Sequence, residues 1–215
     1  MRILIEVPTY DGSISRATSE SLFAMYRGGF EVDFKARPGY GCAMARNRIA
    51  ADALDAGYDY VKMVDNDIAF PADALVNLIE HDADFATGYY LNRYARGERK
   101  YTTLYRMGDG FQMIPADELK AARESGVKAI DVKACGMGCC LIKTSVFFRM
   151  GFPWFEWTDI SRNPRSAPDV HVLSDDIMSG GEDVNFCNTC RALGIPIVAD
   201  TRVACGHGFR EVVWP

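Results

Sequence analysis

The sequence predicts an α/β fold, a mostly parallel central sheet flanked by helices, on three observations. Apolar, β-rich runs alternate with segments of helical periodicity about three times within the first ~90 residues. Gly and Pro punctuate the joins, as at Pro8, Pro38-Gly39 and Gly57. A chain of 215 residues, nearly half of them apolar, can bury a proper core and has the size of one domain. No internal repeat, low-complexity tract or linker interrupts it, so residues 1–215 read as a single domain.

The first strand runs from Arg2 to Val7 and stops at Pro8, and a polar turn leads to a helix from about Arg16 to Arg27. Phe30 to Ala36 is the second strand. Cys42 to Ala56 repeats small and apolar residues at helical spacing until Gly57 supplies a stop. Asp59 to Val64 is a short apolar strand feeding into Asp65-Asn66-Asp67; Pro71 opens a helix reaching about His81, and Phe85 to Tyr89 is the next strand. The later half is less regular. Tyr89 to Met113, rich in Tyr, Arg and Gly, reads as a hairpin or flap, and Ala116 to Glu124 as a helix. Gly138 to Thr144 and Ile195 to Ala199 read as strands, with a helix from Glu182 to Leu193 between them that ends at Gly194.

Composition narrows the function classes. The formal charge of −5 comes from well-mixed charges, and no basic stripe suits a bulk nucleic-acid partner. No stretch reaches the roughly 18 apolar residues of a membrane span. The N-terminus lacks the long apolar region and small-residue cleavage site of a signal peptide, and seven cysteines without a disulfide framework read as reduced thiols. A cytoplasmic protein is expected.

Asp65 and Asp67 carry the strongest chemical signal. In extended backbone, residues two apart point to one side, so both carboxylates can face one ion. They fall beyond the carboxyl end of a strand, where open parallel sheets form their ligand crevice. Hard oxygen ligands select Mg²⁺ or Mn²⁺, an ion that usually shares its sphere with substrate phosphates. A solvated acidic turn is the alternative reading of the pair.

Four stretches in order carry a family resemblance: Val7 to Asp11 (VPTYD), Gly41 to Asn47 (GCAMARN), Val64 to Ile68 (VDNDI) and Gly181 to Phe186 (GEDVNF). Together they resemble the nucleotide-sugar-dependent glycosyltransferases of the GT-A (Rossmann-like) fold, particularly family 2 and its short bacterial and phage relatives. The resemblance implies a small, irregular acceptor-side lobe, with about residues 1–92 binding the nucleotide sugar and about 93–215 serving acceptor and catalysis. It implies a UDP- or GDP-sugar donor, a saccharide or other hydroxyl-bearing acceptor, and Mn²⁺ or Mg²⁺ held by Asp65, Asp67 and a late histidine, here His207, in a Gly-flanked loop. Pro8, Thr9, Tyr10, Asp11 and Asn66 would line the donor, and Arg46 would add positive charge near the phosphates or lie on a solvated helix face. The family's second strand commonly ends in an acid facing the base; this chain offers only Asp33.

Inverting transfer needs a carboxylate to take the acceptor proton. By the family pattern this is Asp183, with Glu182 binding acceptor or sugar or acting as base itself; either also suits a helix N-terminus structurally. Gly138, in the Gly136-Met137-Gly138 turn, would border donor sugar and acceptor. Trp154 and Trp157, with Tyr89-Tyr90, are candidate sugar-stacking residues or packing residues, and 169–181 reads as a loop ordering on donor binding. Cys187-x-x-Cys190 has zinc-ligand spacing but falls within a helical pattern and lacks a second pair, which favours buried thiols. His81 and His171 receive no role. Aspartyl-phosphate phosphatases also use D-x-D, but after their first strand and before a hydroxyl residue, unlike Ile68-Ala69 here. A glycoside hydrolase and a non-catalytic nucleotide-sugar-binding module complete the alternatives.

Overall fold

The computed structural model describes residues 1–93, 98–157 and 181–208, with 212–213 as backbone only. The first half holds β1 (Arg2–Pro8), α1 (Arg16–Ala24), β2 (Glu31–Arg37), α2 (Cys42–Asp55), β3 (Tyr60–Val64), β4 (Ile68–Ala69), α3 (Ala74–Glu80) and β5 (Phe85–Tyr89). It is followed by β6 (Tyr101–Tyr105), β7 (Met113–Pro115), α4 (Ala116–Glu124), β8 (Ala129–Val132), β9 (Ala134–Cys135), β10 (Cys139–Lys143) and α5 (Ser145–Phe148). The last elements are α6 (Glu182–Ala192), β11 (Ile197–Ala204), β12 (Gly206–Gly208) and β13 (Val212–Val213).

Seven strands form the central sheet in the order β2-β1-β3-β10-β5-β11-β8. It is mostly parallel: β1 runs with β2 and β3, β5 runs with β11, and β10 joins the two groups by lying antiparallel to both β3 and β5. Strands from early and late sequence thus interleave. Alternation along each strand sends side chains to two cores: Ile3, Ile5 and Val7 pack on one face with Val64 and Leu75, while Leu4 packs on the other with Val61, Met63 and Ile49. Burial on both faces is why β1 and β3 read as nearly continuous apolar runs.

The helices follow local chemistry. Ser15 caps α1 by accepting from the Thr18 amide at 3.1 Å. Ala45, Ile49, Ala50 and Ala53 give α2 its buried stripe, and Gly57, at φ +67°, turns the chain out of it. Two three-stranded sheets, β13-β12-β4 and β7-β6-β9, stand apart from the main sheet. The Tyr89 to Met113 stretch contains the hairpin-like pairing of β6 with β7, although 94–97 lie outside the described residues. Among the described residues, no helix is long and apolar enough to cross a membrane.

Candidate active site

One edge of the central sheet gathers most of the predicted residues. There β1 ends at Pro8, β3 runs into Asp65 and β5 into Tyr90, while the antiparallel β10 begins after Gly138 at the same edge. The Asp65 amide donates to the Gly138 carbonyl at 3.1 Å, and the Gly138 amide donates to the buried Tyr90 hydroxyl at 3.0 Å. A Cβ at Gly138 would lie 2.8 Å from the Tyr90 ring, so glycine here lets the backbone reach both neighbours. A cleft of about 340 Å³ opens at this edge, with Asp65, Tyr90, Arg93, Thr103, Asp183 and His207 in its wall.

His207 lies on a strand, not in the loop expected from its flanking glycines. β12 pairs antiparallel with β4, immediately after Asp67, and sets His207 opposite Ile68. Gly208 donates to the Asp67 carbonyl at 2.6 Å, an approach so close that a Cβ there would lie 2.9 Å from that oxygen. His207 Nε2 is consequently 3.7 Å from the Asp67 carboxylate. Its Nδ1 is 2.7 Å from the Leu91 carbonyl, which can only accept, so Nδ1 carries a proton, and the donor-only guanidinium of Arg93 meets Nε2 on the side of Asp67. The Arg93 guanidinium contacts both groups.

One carboxylate oxygen and one imidazole lone pair are a donor set that fits a transition-metal dication such as Mn²⁺ better than Mg²⁺, which prefers oxygen ligands throughout. Among the described residues, no three His, Cys, Asp or Glu side chains form a ready-made cage. Asp65 Oδ1 accepts from Arg46 at 2.8 Å, and Asp65 shares the cleft wall with His207.

Arg46 is buried, not spread on a solvated helix face. Its guanidinium donates to Asp65 at 2.8 Å and to Glu182. Burial opposes its charge, but Asp65 and Glu182 outweigh burial and hold the guanidinium firmly protonated. Among the described residues its Nε has no hydrogen-bond partner. The adjacent Asn47 grips another segment, accepting from the Trp154 and Phe155 amides at 2.9 and 3.1 Å and donating to the Phe155 carbonyl at 2.7 Å. A-R-N on α2 thus ties the acidic pair and the aromatic segment to one helix.

Gly181 precedes α6, which places Glu182 and Asp183 in its first turn. Glu182 is buried against Arg46; burial pushes its carboxyl up and Arg46 opposes the shift. Asp183 is half-buried in the cleft wall, with Oδ1 accepting from the Val184 amide at 2.8 Å. Burial raises its carboxyl above the ordinary range too, again against the pull of Arg46.

The loop after β1 is built onto the acidic turn. Buried Thr9 accepts from the Gly12 amide at 3.1 Å, while Tyr10 and Asp11 are exposed. The Asn66 carbonyl accepts from the Ser15 amide at 2.8 Å and the Thr18 hydroxyl at 3.1 Å, and its side chain donates to the Ser13 carbonyl at 3.2 Å. Pro8, Thr9 and Asn66 thereby lie close to one another where β1 ends. Asp33 stands mid-strand opposite Leu4 and accepts from the Tyr58 hydroxyl at 2.7 Å, away from the carboxyl end of β2.

Trp154 packs edge-on against Phe147 and donates its indole proton to the Phe147 carbonyl at 2.9 Å, whereas Trp157 is exposed; neither is among the described residues of the cleft wall. Cys187 and Cys190 are buried on α6 in the core. The expected ordering loop lies outside the described residues across 158–180, as does His171. Sequence reasoning missed Arg93 and Thr103. The alternating Tyr101–Tyr105 strand was a signal for Thr103; a single Arg in an Arg-rich stretch offered none.

The sequence matches no protein-family model and no curated protein. Among solved structures it is similar to the STIV protein A197, with a TM-score of 0.60 and 19% identity over 97% of this chain and 86% of that one. TarS of S. aureus, residues 1–349 in complex with UDP, aligns with a TM-score of 0.47 and 14% identity, over 93% of this chain and 57% of TarS. The fold is an α/β arrangement of GT-A type.

Proposed function

We propose that this chain is a glycosyltransferase that moves a sugar from a nucleoside-diphosphate sugar, UDP- or GDP-linked, to a hydroxyl-bearing acceptor with inversion. The observation that carries the reading is the division of labour within Glu182-Asp183: Arg46 engages Glu182, while Asp183 stands in the cleft wall that also holds Asp65 and His207. A binding module has no use for a second, half-buried carboxylate across the cleft from an acidic turn.

In this reading Asp67 and His207 hold Mn²⁺ or Mg²⁺, with Asp65 beside them on the donor. When bound, the ion offsets the negative charge that develops on the diphosphate as the glycosidic bond stretches. Pro8, Thr9 and Asn66 shape the nucleotide side. Asp183 takes the proton of the acceptor hydroxyl as that oxygen attacks the sugar carbon. Its raised pKa, caused first by burial, moves the carboxylate toward the operating pH of a general base. Arg46 fixes Glu182 and Asp65 on either side of the reaction path and keeps the buried charge balanced.

Asp183→Asn tests the base. The amide keeps the shape but cannot accept the proton, so transfer should fall by about 10²-fold or more while donor affinity stays near wild type. Titrating UDP or GDP with Mn²⁺ and assaying product on the same preparation separates the two. Normal turnover in Asp183→Asn would remove Asp183 from the mechanism.

A further inference from the structure

Arg93 follows β5 and lies in the same cleft wall as His207. Its Nη2 contacts both the Asp67 carboxylate and His207 Nε2, the two donor atoms proposed above for a divalent ion. The same stretch anchors the histidine, since the Leu91 carbonyl accepts from Nδ1 and Leu91 itself bridges to Thr102. Asp67 is only half-buried and the Arg93 side chain reaches solvent, so the contact lies at the open side of the site.

We infer that Arg93 is the resting counter-ion of the cation site, displaced from Asp67 and His207 when a divalent ion binds and then within the same cleft as the diphosphate. The inference rests on the metal reading of Asp67 and His207. A guanidinium and a divalent ion cannot hold the same lone pair and carboxylate, so one must leave for the other to bind. A guanidinium is a charged donor that rivals a cation for the same acceptors, which makes Arg93 a competitor. Once displaced, its planar fork suits the non-bridging oxygens of a diphosphate held at the same cleft. Metal alone therefore binds weakly, whereas metal and donor reinforce each other because the donor's phosphate oxygens attract the displaced guanidinium. Such coupling between ligands is reciprocal.

The test is calorimetry of Mn²⁺ alone, and of Mn²⁺ in the presence of UDP, on the full chain as wild type, Arg93→Met, Arg93→Lys and Asp67→Ala. Arg93→Met should bind Mn²⁺ alone about tenfold or more tightly than wild type, a change within the usual range of site coupling. Its affinity should gain less from added UDP than wild type does. Arg93→Lys, which keeps the charge, should stay close to wild type for Mn²⁺ alone, and Asp67→Ala should lose the ion. Equal or weaker Mn²⁺ binding by Arg93→Met, still dependent on Asp67, would overturn the counter-ion role and leave the metal reading standing. No Mn²⁺ binding by any variant, with or without UDP, would overturn both.

Discussion

Arg46 holds together two acidic groups, Asp65 and Glu182, that lie far apart along the chain. It touches Asp65 and Glu182, and its charge also lowers the carboxyl of Asp183. Removing one member of a buried ionic group costs about 3–5 kcal/mol because the remaining charge is stranded. Arg46→Met should therefore lose about that much stability at neutral pH, measured by urea unfolding. The pH dependence has a definite sign: Glu182 already titrates above its ordinary range, and loss of Arg46 raises it further. A carboxyl with a raised folded pKa contributes stability below its unfolded value, near 4.3 for Glu, and loses it as pH rises through the folded pKa. The deficit of Arg46→Met should hence shrink toward pH 4 and grow toward neutrality. The same sign applies to Asp183, so Asp183→Asn should melt no lower than wild type at neutral pH. An acidic residue serving only the α6 N-terminus would destabilise when neutralised.

At the scale of elements, the site depends on short strands. β12 is held against the acidic turn by the Gly208 amide and by the absence of a Cβ facing the Asp67 backbone. Gly208→Ala should push β12 off that backbone and carry His207 with it. Metal-dependent nucleotide affinity should fall several-fold while the main sheet keeps its far-ultraviolet circular dichroism. Calorimetry with Mn²⁺ and UDP, beside the dichroism, checks both halves of that expectation. The long elements are legible in sequence because their signals are local: the apolar stripe of α2, the buried run of β3, and α4 from Ala116 to Glu124 at its observed bounds. β4, β9, β12 and β13 span two or three residues each and exist through pairing with distant strands, which no local period encodes. For that reason His207 reads as a loop residue in sequence. Arg46 reads as a phosphate or surface cation for a similar reason: its partner Glu182 lies 136 residues away along the chain. The acidic pair of the β3 turn is legible because spacing and strand end suffice, whereas the contact of Arg93 with that turn is purely tertiary.

Across the described residues, two cores on opposite faces hold the sheet, and the cleft opens at one edge of it. That arrangement suits catalysis by positioning, since strand ends fixed from both faces place Asp65, Tyr90 and Gly138 with little freedom. It also makes ligand binding measurable as global stability. A ligand at a hundred times its Kd adds about 2.7 kcal/mol to a protein that binds it only when folded. For a chain of this size that corresponds to a rise of roughly 5–10 °C in Tm. The most direct test of the central claim, a cation-assisted nucleoside-diphosphate site at the Asp65-Asn66-Asp67 turn, is the melting temperature of wild type and Asp67→Ala with UDP or GDP, each with Mn²⁺ or with a chelator. Wild type should gain several degrees from at least one nucleotide with Mn²⁺, lose most of that gain with the chelator, and Asp67→Ala should show neither change. An equal gain in chelator, an undiminished metal-dependent gain in Asp67→Ala, or no gain from either nucleotide would contradict the account.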